Sequence, residues 1–213
     1  KFRANIMAIQ LLKKCEEENR NATPDEQEIL SRYVGWGGLA DAFDETKSAW
    51  ETEYLELKTV LTPEEYAAAR ASTLNAHYTQ PIVIESMYQA LENLGFTKGN
   101  ILEPSMGVGN FFGMLPEKLN QSKLYGVELD SISGRIAKLL YPDANIQIKG
   151  FEKTDYPNDF FDVAIGNVPF GAYKVNDRQY DRYNFMIHDY FLAKTIDQLR
   201  PGGVAALITT KGT

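Results

Sequence analysis

The stretch Asn100-Ile-Leu-Glu-Pro-Ser-Met-Gly-Val-Gly-Asn-Phe-Phe-Gly113 decides the fold. A short apolar run leads into an acid and a proline, then a glycine-rich turn, then a second apolar segment. That order reads as a strand, a tight loop and the start of a helix. Gly107 and Gly109 lack side chains, so the backbone can turn sharply there and a ligand can approach it closely. Glu103 ends the strand and would face the same ligand. A carboxylate in that place repels a pyrophosphate and attracts a cation.

Downstream of this loop, strand and helix patterns alternate. The strand candidates are Ile101–Glu103, Leu124–Leu129, Ile146–Ile148, Phe161–Ile165 and Val204–Ile208. Helix candidates fall near Asn110–Leu115, Ser131–Leu140 and Phe185–Leu199, and a further helix, Pro81–Asn93, precedes the first strand. Such alternation predicts a mainly parallel sheet with helices on both faces, an α/β fold of Rossmann-like type. The runs are short and continuously apolar, as expected of strands buried on both sides. Ligands of such sheets bind at the carboxyl ends of the strands.

Upstream, the texture differs. Ile6, Ile9 and Leu12 recur at helical spacing, with the charges of Lys13, Lys14 and Glu16 to Glu18 on a solvated face. Thr23-Pro-Asp-Glu26 and Thr62-Pro-Glu-Glu65 are both helix starts, with threonine as N-cap, proline in the first turn and acids near the positive end of the dipole. Tyr33-Val-Gly-Trp-Gly-Gly38 is a turn, with Trp36 expected to plug it onto a neighbour. Residues 1–75 therefore read as an N-terminal helical region, and 76–213 as the α/β core. The core is expected to be cut short after its fifth strand, because the chain ends directly on a strand-like run, and further C-terminal domains of a longer chain are expected.

The bulk composition narrows the function. The chain has 213 residues and a formal net charge of -7, which argues against non-specific coating of nucleic acid but leaves room for a local basic groove. With Cys15 as the lone cysteine and only two histidines, neither an internal disulfide nor a structural zinc site is expected. No apolar run approaches the length of a membrane span and no signal peptide is evident, so the expected setting is the cytoplasm.

Two strand ends carry the chemistry. Gly126-Val-Glu-Leu-Asp130 places Glu128 about twenty residues past the glycine loop, where an acid can accept both hydroxyls of an adenosine ribose. Nicotinamide and adenosylmethionine sites share that signal. Asp130 fits better as a helix cap. S-adenosylmethionine carries a sulfonium and an ammonium and no phosphate, so it suits the acid-bearing loop. The end of the fourth strand gives Gly166-Asn-Val-Pro-Phe-Gly171. The exocyclic amine of adenine is a poor nucleophile, since its lone pair is delocalised into the ring. Two acceptors taking its N–H bonds would localise that pair. Asn167 offers its side-chain oxygen, and Pro169 a backbone carbonyl without a competing N–H. Phe170 can stack on a flipped base.

These motifs resemble those of the amino-methylating DNA methyltransferases that modify the N6 of adenine, in the arrangement where the cofactor loop precedes the catalytic tetrad. Glu103-Pro-Ser-Met-Gly-Val-Gly-Asn-Phe111 matches the family's Asp/Glu-Pro-x-x-Gly-x-Gly-x-Phe motif, Asn167-Val-Pro-Phe170 its Asn-Pro-Pro-Phe/Tyr motif, and Tyr78-Thr-Gln-Pro81 its Phe/Tyr-Thr-Pro segment. The whole chain resembles, more narrowly, the methylase portion of large helicase–methylase proteins of conjugative elements and phages, through Tyr33–Leu39, Asn75–Thr79 and Gly166–Gly171. The resemblance implies a class I methyltransferase core, S-adenosylmethionine as cofactor and DNA as partner. It assigns Asn167, Val168, Pro169 and Phe170 to catalysis. To the cofactor it assigns Tyr78, Thr79, Glu103, Pro104, Ser105, Gly107, Gly109, Asn110, Phe111, Glu128, Leu129 and Asn167.

There are departures from the pattern. Val168 stands where the first proline of the tetrad is expected, which reduces loop stiffness, and Gln80 stands where the upstream segment has its proline. Ungapped counting after the third strand puts Phe151, then Glu152, where an acid usually meets the cofactor's adenine. Phe151 would pack on that ring, with Glu152 or Asp155 accepting from its amine. Arg178-Gln-Tyr-Asp-Arg-Tyr-Asn184 mixes cations with aromatics, and Tyr173, Arg178 and Arg182 are candidate substrate contacts. An ordinary surface loop is the equal alternative there. His188 falls at helical spacing and is expected in the core. Alternative functions are a methyltransferase acting on RNA or protein glutamine, and a degenerate fold kept as a nucleic-acid-binding or scaffolding module.

Overall fold

The computed structural model describes residues 1–73 and 79–210. The Tyr78 assigned to the cofactor lies outside them. The chain forms two compact units, one of Lys1–Tyr78 with Asp130–Pro142, the other of Thr79–Leu129 with Asp143–Thr213.

The first unit is helical. It contains α1 (Phe2–Glu17), α2 (Pro24–Leu30), α3 (Glu51–Val60), α4 (Pro63–Ser72) and α7 (Ser131–Leu140). Both threonine starts are capping boxes: Thr23 and Thr62 accept from the N–H of Glu26 and Glu65, and each glutamate accepts from its threonine's N–H in return. Trp36 is buried against Phe2, Tyr33 and Phe43 at ring separations of 5.3 to 6.4 Å. The helix α7 follows the strand Lys123–Glu128 in the chain but packs in this unit. Its Arg135 reaches Glu16 and Glu65 at 2.6 Å, and the Gln27 amide donates to the Leu139 carbonyl at 2.9 Å. Burial alone would raise the Glu65 carboxyl. Hydrogen bonds from Lys13, Arg135 and the Thr62 N–H instead hold it down at about 2.

The second unit is a five-stranded sheet with all neighbours parallel, in the order β3-β2-β1-β4-β5. The strands are β1 (Asn100–Glu103), β2 (Lys123–Glu128), β3 (Asn145–Ile148), β4 (Phe161–Asn167) and β5 (Leu199–Ile208). All five predicted strands are present, although β5 starts well before Val204. Its Arg200-Pro-Gly-Gly203 segment is absorbed by a register irregularity between Phe161 and Val163.

Strand alternation divides the core. Ile101, Val163 and Ile165 pack on one face with Ile84, Tyr88 and Leu91 of α5 (Pro81–Asn93). Leu102 and Ala164 pack on the other with Ile187, Tyr190 and Phe191 of α8 (Ile187–Gln198). The expected two-faced α/β layering is therefore present. The strand order reverses at β1, so the ends of β1 and β4 lie side by side at the switch point, where open α/β sheets bind ligands. Among the described residues no helix is long and apolar enough to cross a membrane, and no group of three or more His, Cys, Asp or Glu is arranged to hold a metal.

Candidate active site

The glycine loop is built by two left-handed residues. Gly107 has φ +56° and Gly109 φ +84°, conformations that a side chain would strain. Gly109 caps α6 (Asn110–Gly113). The loop folds back onto β2: the Met106 N–H donates to the Val127 carbonyl at 3.0 Å, and the Gly107 N–H donates to Glu128 Oε2 at 2.6 Å. The Met106 side chain lies where a Cβ on Gly126 would stand, so only glycine permits this approach. One oxygen of Glu128 is thus held by the very loop it is expected to serve, and the carboxylate's direction is fixed.

Glu103, at the end of β1, is 1% exposed, and its Oε2 is buried with no hydrogen-bond partner among the described residues. Burial, and then the charge of Glu128, push its carboxyl well above the ordinary value. The sequence suggests a standing negative charge here, whereas burial and the neighbouring Glu128 both disfavour the charged form. The neighbouring strand approaches closely, since a Cβ on Gly166 would lie 3.3 Å from Glu103 Cγ.

One residue further along β4, Asn167 presents a second orphan. Its Oδ1 is buried without a partner among the described residues, while its Nδ2 lies 3.4 Å from Thr79 Oγ1. Two buried, unsatisfied oxygens thus lie at the ends of adjacent central strands, each a costly group unless a donor reaches it. The tetrad that follows is stiffened in a way its sequence hides. The Val168 N–H donates to the Ile208 carbonyl at 3.1 Å, and its side chain is buried in the core. A proline there could not make that bond. Stiffness expected to be lost with the proline is supplied by β5.

The remaining candidates divide. Thr79, Ser105, Asn110 and Glu128 are half-buried around the loops, and Leu129 is exposed beside Glu128. Pro104 and Phe111 are buried, and the Phe111 carbonyl accepts from the Tyr88 hydroxyl at 2.8 Å. Phe151 is 2% exposed, with its ring against Phe191 at 4.9 Å, so it offers a ligand an edge at most. Glu152 folds over Gly150, and Asp155 is exposed. Tyr173, Arg178 and Arg182 lie on the surface of the segment after the tetrad. His188 is buried, as its spacing predicts.

Sequence reasoning missed the group that ties these loops down. Lys194 of α8 is 5% exposed and donates to the carbonyls of Phe151 at 2.8 Å and Thr154 at 3.3 Å, and to Asp177 Oδ2 at 3.1 Å. Asp177 also accepts from the Tyr190 hydroxyl at 2.7 Å. One ammonium therefore joins the loop after β3 to the segment after β4. A lysine inside an otherwise apolar helix face, Tyr190-Phe-Leu-Ala-Lys194, was the available signal.

The fold is that of the class I methyltransferases. A Listeria monocytogenes protein described as a class I S-adenosylmethionine-dependent methyltransferase superposes with a TM-score of 0.50 at 15% identity, over 100% of this chain and 75% of that one. A type I restriction-modification methyltransferase subunit from Streptococcus thermophilus does so with a TM-score of 0.51 at 14% identity, over 95% of this chain and 55% of that one. In sequence, the chain is 30% identical over 215 positions to defense against restriction protein B of Escherichia phage P1. The match takes in 96% of this chain, which spans 8% of the phage protein's length. No protein-family model matches.

Proposed function

We propose that the chain is an S-adenosylmethionine-dependent methyltransferase acting on the N6 amine of adenine in DNA. The observation that carries this reading is the pair of orphan acceptors, Glu103 Oε2 and Asn167 Oδ1, at the ends of neighbouring strands. The residues fit the cofactor chemically. Glu103 and Glu128 suit a cation and disfavour a phosphate, and the left-handed glycines admit a ligand against the backbone. When bound, S-adenosylmethionine supplies an electrophilic methyl on a sulfonium. Glu103 would be held in its charged form beside that cation, and Glu128 would accept from the ribose hydroxyls. Asn167 Oδ1 takes one N–H of the target amine and the Pro169 carbonyl the other, which localises the nitrogen lone pair toward attack. Phe170 holds the flipped base by stacking. The S–CH3 bond would break as the N–CH3 bond forms, the sulfur would leave as a neutral thioether, and the methylated nitrogen would lose its extra proton to solvent afterwards, so no strong base is required and the residues contribute orientation and electrostatics.

The S. thermophilus methyltransferase subunit supports DNA as substrate through its restriction-modification setting. The match to a phage protein many times longer supports a place within a larger chain that carries further domains. Calorimetry with S-adenosylmethionine, followed by mass spectrometry of adenine-containing oligonucleotides, RNA and peptides, tests the reading. Methyl transfer to RNA or to glutamine would move the substrate, and absence of cofactor binding would leave a scaffold.

Two results are expected at the cofactor site. Glu128→Ala should weaken cofactor binding by about 1–3 kcal/mol, the loss of a charge-assisted contact together with the Gly107 hold. Calorimetric affinity equal to that of the unaltered chain removes the ribose role. Cofactor binding should also release a proton. The Glu103 carboxyl is raised above its ordinary 4.5 in the ligand-free protein, and a bound cation lowers it. Affinity should therefore climb with pH from 4.5, by up to about tenfold per unit, and level off above the raised value. The ligand-free protein should lose stability across that same rise, because folding then requires the native state to surrender a proton that it holds more tightly than the unfolded chain does. Glu103→Gln should flatten both profiles, and binding heats that do not depend on buffer ionisation would contradict the linkage.

A further inference from the structure

The segment after the tetrad is a closed loop, not an open excursion. The Ile187 N–H donates to the Tyr173 carbonyl at 3.0 Å and joins its two ends. Inside, Lys174 Nζ donates to Asn184 Oδ1 at 2.6 Å, and the Asp177 N–H to Asp181 Oδ1 at 2.8 Å. Beneath, Asp177 is pinned by Lys194 and Tyr190, and the Tyr180 hydroxyl donates to Asp197 at 2.8 Å. A loop of this length with no regular structure beyond one 3-10 turn is uncommon unless it binds something.

Its outer side is unusual for a rigid loop. Tyr173 is 47% exposed and Tyr183 51%. The Tyr183 ring stacks on Phe185 at 5.2 Å and 19°, and the Arg182 guanidinium lies 4.6 Å from the Tyr183 centroid. The Tyr173 ring lies against Gly171, the residue after Phe170, with a Cβ there 2.9 Å from its Cε1. Lys174, Arg178 and Arg182 are all exposed. Of the segment's two carboxylates, Asp177 is neutralised by Lys194 and Asp181 is tied to a backbone N–H.

We propose that this loop, Tyr173 to Met186, is a stacking platform for the unpaired bases that flank the target in single-stranded nucleic acid, with Tyr183 as its principal ring. The proposal rests on the reading of Asn167–Phe170 as the target loop. A loop whose backbone is anchored from beneath through Asp177 and Tyr180 presents its rings at reduced ordering cost, and a guanidinium already lying against the Tyr183 ring marks a position that a base takes while the arginine turns to a phosphate. An acidic chain needs such a local device to hold a polyanion.

Fluorescence anisotropy of the full chain with a labelled single-stranded deoxyadenosine oligonucleotide tests it. Tyr183→Ala should raise Kd by about 5- to 150-fold, the range for loss of one stacked base, while Tyr183→Phe should stay near the unaltered chain. The exposed position makes folding of both variants checkable by an unchanged melting temperature. Equal binding by Tyr183→Ala and the unaltered chain, or equal loss in both variants, overturns the proposal. Cofactor calorimetry separates the two readings. Tyr183-dependent oligonucleotide binding in a chain that ignores S-adenosylmethionine would sink the methyltransferase reading and, with it, the claim that the stacked bases flank a target, whereas cofactor binding with no dependence on Tyr183 would overturn the platform alone.

Discussion

Asn167→Ala is expected to lower methyl transfer to adenine by at least about 100-fold, the usual cost of removing one positioned transition-state partner, with cofactor affinity changed only a few-fold. The structure makes this substitution unusually clean. Asn167 Oδ1 is buried and unpaired among the described residues, and its Nδ2 has one long contact at 3.4 Å with Thr79. Deleting an orphaned acceptor relieves a desolvation cost of about 1–3 kcal/mol and forfeits little in return. Stability should therefore hold or rise while turnover falls. A merely structural asparagine would show the opposite pattern. Transfer of labelled methyl to adenine oligonucleotides, read beside a melting curve, distinguishes them. Surviving turnover in the alanine variant would remove the tetrad from the chemistry.

That division between stability and function runs through the site. Glu103 and Asn167 are acceptors with nothing to accept, whereas Val168, between Asn167 and Pro169, is fully provided for by Ile208 and the core. At these two strand ends the backbone group that holds the loop is paired, while Glu103 Oε2 and Asn167 Oδ1 are not.

The same contrast explains what was legible in the sequence. Local patterns carried the strands, the capping boxes at Thr23 and Thr62, and the glycine turn, because each is set by residues a few positions apart. The side-by-side placement of Glu103 and Asn167 depends on β1 lying next to β4, an order that alternation does not reveal, although it does imply the parallel sheet. What stayed hidden depends on distant partners. Arg135 meets acids 119 and 70 positions upstream, and nothing within Ser131–Leu140 names them. Phe151, placed by counting, is held in the core by Phe191 of a helix still to come. Helix α3 lacks the Thr-Pro start of its neighbours and has no side-chain N-cap hydrogen bond, so no local signal announced it. The upward shift of the Glu103 carboxyl comes first from its complete burial, which an acid at a strand end does not reveal.

Lys194→Met should be the most damaging single change to the sheet unit, costing about 3–5 kcal/mol. Methionine fills the space but strands two carbonyls, of Phe151 and Thr154, and leaves Asp177 without its cation. Burial would raise the Asp177 carboxyl, yet hydrogen bonds from Tyr190, Lys194 and the Gln179 N–H keep it below its ordinary 3.8. That contribution to stability is present above 3.8 and is lost as pH falls through the depressed value. In Lys194→Met it should vanish, and the variant should gain relative stability on acidification. Adding Asp177→Asn removes the unpaired charge, so the double variant should be more stable than Lys194→Met alone, a coupling that independent sites would not show. Both tryptophans, Trp36 and Trp50, lie in the first unit, so urea unfolding of the sheet should be followed by far-UV circular dichroism. A loss below about 1 kcal/mol would mean that water already reaches the ammonium, and that the loops after β3 and β4 are not joined through it.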